Sequence, residues 1–208
     1  MSARRRAVQG TVAVVLVLLV AWWAGWLPDT PLTQSVGSAT DGVSQDAVGL
    51  TLYDPSERQQ LPDISGTTLD GRSLSVADLQ GHVVVINVWG SWCSPCRQEA
   101  PILASVARET RAAGVRFVGI DVRDNVAAAK AFTTNFHIPY PSLFDDSDSL
   151  LLAFSGIVPV SAVPSTVIVD QQGAVAARFI GKVDYTSLKG VITDLLAEHQ
   201  PNGKPTGH

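Results

Sequence analysis

The chain predicts an α/β fold, a mixed central sheet flanked by helices, on three observations. Between residues 61 and 199, β-branched runs such as Val83-Val84-Val85-Ile86 and Thr166-Val167-Ile168-Val169 alternate with stretches that favour helix, the pattern of strand–helix–strand units. A late strand pair joined by a turn over residues 170–173 makes the sheet mixed rather than parallel. The only two cysteines, in Cys93-Ser94-Pro95-Cys96, stand where the first strand run passes into the first helix.

Taken in order, residues 1–6 carry Arg4-Arg5-Arg6 and precede a charge-free stretch. Residues 7–27 as a helix would be roughly 32 Å long, enough for a hydrocarbon core of about 30 Å. The flank Trp22-Trp23-Ala24-Gly25-Trp26 has no A-x-A cleavage pattern and resembles an interfacial aromatic belt. An uncleaved signal-anchor transmembrane helix is therefore expected, with secretion after signal-peptide cleavage as the alternative. The arginines place the N-terminus in the cytoplasm and the rest of the chain outside it, single-pass in the cell membrane. Residues 28–60 turn to Ser, Thr, Gly, Gln and Asp, interrupted by Pro28, Pro31 and Pro55, and read as an extracytoplasmic linker. A flexible chain of that length has an end-to-end distance of roughly 30 Å. Within it Val48, Leu50 and Leu52 alternate, which allows one short strand.

The domain proper is expected over residues 61–199. Asp70-Gly71 between two short strand-like runs predicts a hairpin. After the cysteines, a helix should run to about Ala113, broken or kinked at Pro101 and stopped by Gly114. Residues 115–122, nearly continuously apolar apart from Arg116, predict a buried strand. A helix over 126–136, a short strand over 142–144 and a short helix over 149–154 follow. Strands over 164–170 and 174–180 and a closing helix over 185–198 complete the fold, and the polar tail 200–208 reads as disordered.

The cysteine spacing sets the chemistry. Side chains three apart on a helix are neighbours at roughly 5–6 Å, which suits the Cα separation of about 4.4–6.8 Å of a disulfide. Pro95 is tolerated in a first helical turn, because its missing N–H would have no partner there. The unpaired N–H groups of a helix start stabilise a thiolate at Cys93, which makes it the attacking thiol, and Cys96, a turn deeper, the resolving thiol. A structural disulfide, half of a zinc site and two buried cysteines are the alternatives. Zinc needs about four ligands and there is no second cysteine pair. A c-type haem site would need His where Arg97 stands. Two cysteines with no third suit an oxidising compartment, and a net charge of -4 gives no support for nucleic-acid binding.

Trp92 to Pro101 follows W-C-x-P-C-R-x-E-x-P, and Val163-Pro164-Ser165-Thr166 precedes a later strand. These motifs resemble the thioredoxin superfamily and, more narrowly, the TlpA/ResA/CcmG group of membrane-anchored proteins. The resemblance implies a thioredoxin-like fold with an N-terminal β-hairpin and a central αβ insert. It implies thiol–disulfide oxidoreductase activity on proteins, without a cofactor or metal, by a reversible Cys93–Cys96 disulfide. Pro164 matches a cis-proline that, with Val163 and Trp92, lies where substrate binds. Asn87 stands where thioredoxins carry a proton-moving Asp, and Glu99 matches the subgroup's glutamate: a base for Cys96, or simply a solvated first-turn residue. The subgroup further implies a reductant, with apocytochrome c as a possible substrate and a transmembrane thiol donor of the CcdA/DsbD type. Ser94-Pro95 offers no charge to stabilise a thiolate, which leans the same way.

The rival functions are a redoxin-type thiol peroxidase and a non-enzymatic copper-handling module. Asp145-Asp146-Ser147-Asp148 resembles a metal loop in charge but lacks the Gly and terminal Glu of a calcium site, and a turn with a helix cap is expected there. His82 and His137 stand alone and are expected to be structural.

Overall fold

The computed structural model describes residues 49–198. The cytoplasmic end, the signal-anchor and the tail expected over 1–6, 7–27 and 200–208 lie outside the described residues, as does 28–48 of the linker. Among the described residues no helix is long and apolar enough to cross a membrane.

A six-stranded sheet is the centre of the domain. In chain order its strands are β1 (Leu50–Leu52), β4 (Val84–Trp89), β5 (Arg116–Val122), β6 (Ser142–Asp145), β7 (Ser165–Val169) and β8 (Val175–Ile180). They lie side by side as β1-β8-β7-β4-β5-β6. The β4–β5 and β5–β6 pairs are parallel, and β4–β7, β7–β8 and β1–β8 antiparallel, so the sheet is mixed as expected. Every residue of β4 is buried, which is why it reads as an unbroken apolar run. Successive residues nevertheless serve opposite faces. Val85 packs with Leu103 and Val106 of α1 (Ser94–Thr110) and with Leu188 and Ile192 of α4 (Tyr185–Glu198). Val84, Ile86 and Val88 pack on the other face with Ile64, Val76, Leu151 and Phe154. That second face is covered by α3 (Ser149–Ala153) and by the hairpin of β2 (Ser65–Thr67) and β3 (Ser73–Ser75). Between β5 and β6 runs α2 (Val126–Asn135).

Two expectations need correction. The linker does not extend to residue 60. β1 pairs with β8 in register Leu50↔Phe179, and Leu50 is buried. The chain then follows the same strand, Tyr53 N–H donating to Ala176 O and Leu61 N–H to Gly173 O. Arg58 fastens it by pairing with both Asp170 and Glu198. The alternation of Leu50 and Leu52 is the signal of an edge strand, of which Leu50 is buried and Leu52 exposed. Second, the break allowed for at Pro101 does not occur, and α1 is helical from Ser94 to Thr110. Pro101 and Arg97, whose carbonyl loses its helical partner, are both on the exposed side, where solvent can take that carbonyl. The helix tightens into a 3-10 turn over Arg111–Ala113 and stops at Gly114, whose φ of 89° suits a residue without Cβ.

Candidate active site

The site forms where β4 hands over to α1. Cys93 caps α1 in an extended conformation, and its Sγ accepts the N–H of Cys96 at 3.2 Å. Pro95 lies in the first turn, where its missing N–H costs nothing. The sulfurs are joined as a disulfide across a Cα separation of 5.3 Å. Both cysteines are buried, at 3% and 1% exposure for Cys93 and Cys96. The expected difference in exposure is therefore slight in the oxidised pair. The cover is aromatic: Trp89, at the end of β4, stacks on Phe132 of α2 with ring centroids 4.4 Å apart, and both pack in one cluster with the two cysteines, Ala100 and Ala129.

Behind the disulfide lies a buried polar chain. Glu99, one turn after Cys96, is fully buried rather than solvated. Its Oε1 accepts from Asn87 Nδ2 at 2.8 Å and its Oε2 from the N–H of Val183 at 3.0 Å. Burial pushes its carboxyl up to about 7, against those two donors and the charge of Lys182. Asn87 also donates to Thr166 Oγ1 at 3.2 Å, which ties β4 to β7. A small cavity joins Asn87 to Cys96, lined also by Trp89, Phe132 and Tyr140. A carboxyl that ionises near neutrality one helical turn from a cysteine is suited to take up that thiol's proton.

On the outer side, the Val163–Pro164 peptide is cis, and Val163 packs against the cysteine cluster. Trp92 is 53% exposed, with its indole N–H on Val122 O at 3.1 Å and the Arg123 guanidinium 5.5 Å from its ring. Its ring folds back over Gly90, where a Cβ would come within 2.5 Å of Nε1. The indole is thus a platform beside the pair, held from β5.

The acidic loop is a cap. Asp145 is buried and accepts the N–H groups of Ser149 at 2.8 Å and Leu151 at 3.0 Å. Among the described residues no group of three or more His, Cys, Asp or Glu could hold a metal ion. His137 ends the turn after α2 with a φ of 50°, and its carbonyl accepts from Arg108.

Four residues of the site region escaped the sequence reading: Trp89, Phe132, Tyr140 and Asp121. The first three are apolar or aromatic positions in elements that needed such residues anyway. Asp121 did carry a signal, a carboxylate inside the otherwise apolar run Val118-Gly119-Ile120-Asp121-Val122.

Residues 58–178 match the AhpC/TSA family, more than half of the chain. The chain belongs to this family. It is 28% identical over 154 residues to the thiol-disulfide oxidoreductase ResA of Bacillus cereus, covering 70% of this chain and 87% of that protein. It is 34% identical over 122 residues to the thiol:disulfide interchange protein DsbE of Pseudomonas aeruginosa, covering 59% and 64% of the two chains. A secreted thiol-disulfide isomerase from Corynebacterium glutamicum superposes with a TM-score of 0.68 at 34% identity, covering 74% of this chain and 95% of that one. The thioredoxin-like α/β fold is thus shared with solved relatives, and the Cys93–Cys96 pair supplies the chemistry for which these relatives are named, thiol–disulfide exchange.

Proposed function

We propose that this family member is a membrane-tethered, extracytoplasmic reductant of protein disulfides. The observation that carries the reading is the Cys93–Cys96 disulfide at the start of α1 with the buried Glu99 carboxyl one turn further on. In the reduced enzyme, the Cys93 thiolate attacks a substrate disulfide, forming a mixed disulfide and releasing one substrate thiolate. Glu99 takes the proton of Cys96, whose thiolate then attacks Cys93 Sγ. The second substrate thiolate leaves and the enzyme disulfide is restored. Electrons return from a dithiol carrier in the membrane, of the CcdA/DsbD type, which donates to the 93–96 disulfide by the same exchange. An extended substrate segment lies along Val163-Pro164 with Trp92 beside it. The neutral Ser94-Pro95 pair supports a reducing role, and apocytochrome c, whose thiols must stay reduced before haem attachment, is the substrate class the subgroup resemblance favours. The arginine-flanked apolar stretch 7–27 is the tether.

The test is covalent trapping. Cys96→Ser should accumulate mixed disulfides between Cys93 and extracytoplasmic proteins, and Cys93→Ser should form none and lose insulin-reducing activity. Absence of any adduct, together with metal retained by the purified chain, would favour the copper-handling alternative. A reduction potential near about −120 mV, that of a strong disulfide donor, would reverse the direction of transfer.

A further inference from the structure

Asp121 is a buried acid that the exchange reaction does not use. It lies on β5 in register with Trp89 of β4, and its side chain is fully buried. Among the described residues no N–H or hydroxyl group donates to either of its carboxyl oxygens. Its ionisable neighbour is another carboxyl, that of Asp124. Asp124 by contrast is well supplied: Oδ2 accepts the N–H of Ser91 at 2.6 Å and Oδ1 that of Asn125 at 2.8 Å. Ser91 is two residues before Cys93, and Cys93 N–H closes the turn onto Gly90 O at 3.1 Å. With the Trp92 indole on Val122 O, the turn that delivers the attacking sulfur is pinned to the end of β5 at two adjacent residues.

Among the described residues the surroundings offer Asp121 no cation. In register with Asp121 stand Trp89 on β4 and Phe144 on β6; Ser142, in register with Gly119, has a buried hydroxyl with no partner among the described residues, and Lys130, the one ionisable residue of α2, is exposed. The Arg123 guanidinium is engaged by the Trp92 ring and by Asp148 at 3.5 Å. Asp145 on β6 is taken up by the N–H groups of Ser149 and Leu151. A buried carboxylate with no donor, beside a second carboxylate, is strongly disfavoured, whereas a protonated carboxylic acid has an acceptor in Asp124.

We propose that protonated Asp121 donates a hydrogen bond to the Asp124 carboxylate, and that this shared proton positions the Ser91–Cys93 turn for attack on the substrate disulfide. Burial first, and then the charge of Asp124, push the Asp121 carboxyl up to about 8. Asp124 is held below the usual carboxylate range: burial opposes its charge, but the donors from Ser91, Asn125 and Asp121 outweigh it. Loss of the proton sets two like charges side by side, loosens the hold on Ser91 and slows Cys93. Asp121 is a positioning residue acting through Asp124, and the inference rests on Cys93 being the attacking thiol.

The test follows iodoacetamide alkylation of the reduced full-length chain from about pH 6 to about pH 10, with mass spectrometry to locate the modified sulfur. Asp121→Asn keeps a donor toward Asp124 but cannot ionise. The ratio of the native rate to the D121N rate should be constant at low pH and fall several-fold through a midpoint near 8. A ratio flat across the range, with Cys93 still the modified residue, overturns this inference alone; modification of Cys96 first overturns the reading beneath it. Carbon-13 NMR of aspartate-labelled native chain gives a second arm that does not depend on D121N folding. One aspartate carboxyl should titrate near 8, and in Asp124→Asn its midpoint should move to lower pH. No such carboxyl, or a midpoint unmoved in D124N, also overturns the proposal.

Discussion

Replacing Glu99 by Gln separates what the buried carboxyl does for the reaction from what it costs the fold. Its folded-state value stands near 7 against an ordinary 4.5, because burial disfavours the charge more than Asn87 and Val183 favour it. At about 1.4 kcal/mol per tenfold change in a protonation equilibrium, the displacement corresponds to roughly 3 kcal/mol. The folded state binds the proton more tightly than the unfolded chain, so stability is highest below the unfolded value. It declines as pH rises from 4.5 to about 7, and is level above that. Gln resembles the protonated acid in shape and neutrality. Near the low end of that window the variant and the native chain should therefore have similar urea midpoints, and at about pH 8.5 the variant should be more stable by up to ~3 kcal/mol. The catalytic consequence runs the other way. Without a base for Cys96, resolution of the mixed disulfide should slow by about 10²-fold or more, and the inflection near neutrality should vanish from its pH–rate profile. Equal stability differences at both pH values would refute the burial account of Glu99, and exchange kinetics unchanged across pH would remove its role as base.

Other perturbations probe the frame around the pair. Phe132→Ala removes the ring stacked on Trp89, so stability should fall by about 3–5 kcal/mol and the 93–96 disulfide should be reduced faster by dithiothreitol. A reduction rate that stays unchanged would show that α2 does not shield the sulfurs. Gly119→Ala would bring a Cβ onto Ser142 Oγ and to 2.7 Å from Trp89 Nε1, and should cost about 1–3 kcal/mol in urea unfolding. Arg58→Ala leaves the buried Asp170 without its cation and should cost about 3 kcal/mol, most of it persisting in high salt because the pair is shielded from solvent. A loss that disappears in salt would assign the effect to the exposed Glu198 contact instead.

The readable parts of this chain are those where one local rule and the tertiary environment agree. A strand buried on both faces must be apolar throughout, so β4 and β7 stand out; Gly114 and Asp70-Gly71 mark the turns they make. Cys93 and Cys96 were visible because spacing alone decides whether two sulfurs can meet. β1 was weaker, because a three-residue edge strand takes its stability from β8, more than a hundred residues away in the chain. Glu99 shows where spacing stops being informative. One helical turn past Cys96 is compatible with solvent or with the interior, and what decides is α1's orientation on the sheet, which turns residue 99 toward Asn87 on β4 and Val183 beyond β8. Asp121 inverts the case. It too is a carboxylic acid in a fully buried place, yet among the described residues it receives no donor, so the strand's apolar neighbours, which made burial predictable, also make its ionisation unfavourable. A carboxyl inside a hydrophobic strand run therefore points to a proton held near neutral pH. In this domain two such protons flank one disulfide, one behind Cys96 and one beneath the turn that presents Cys93.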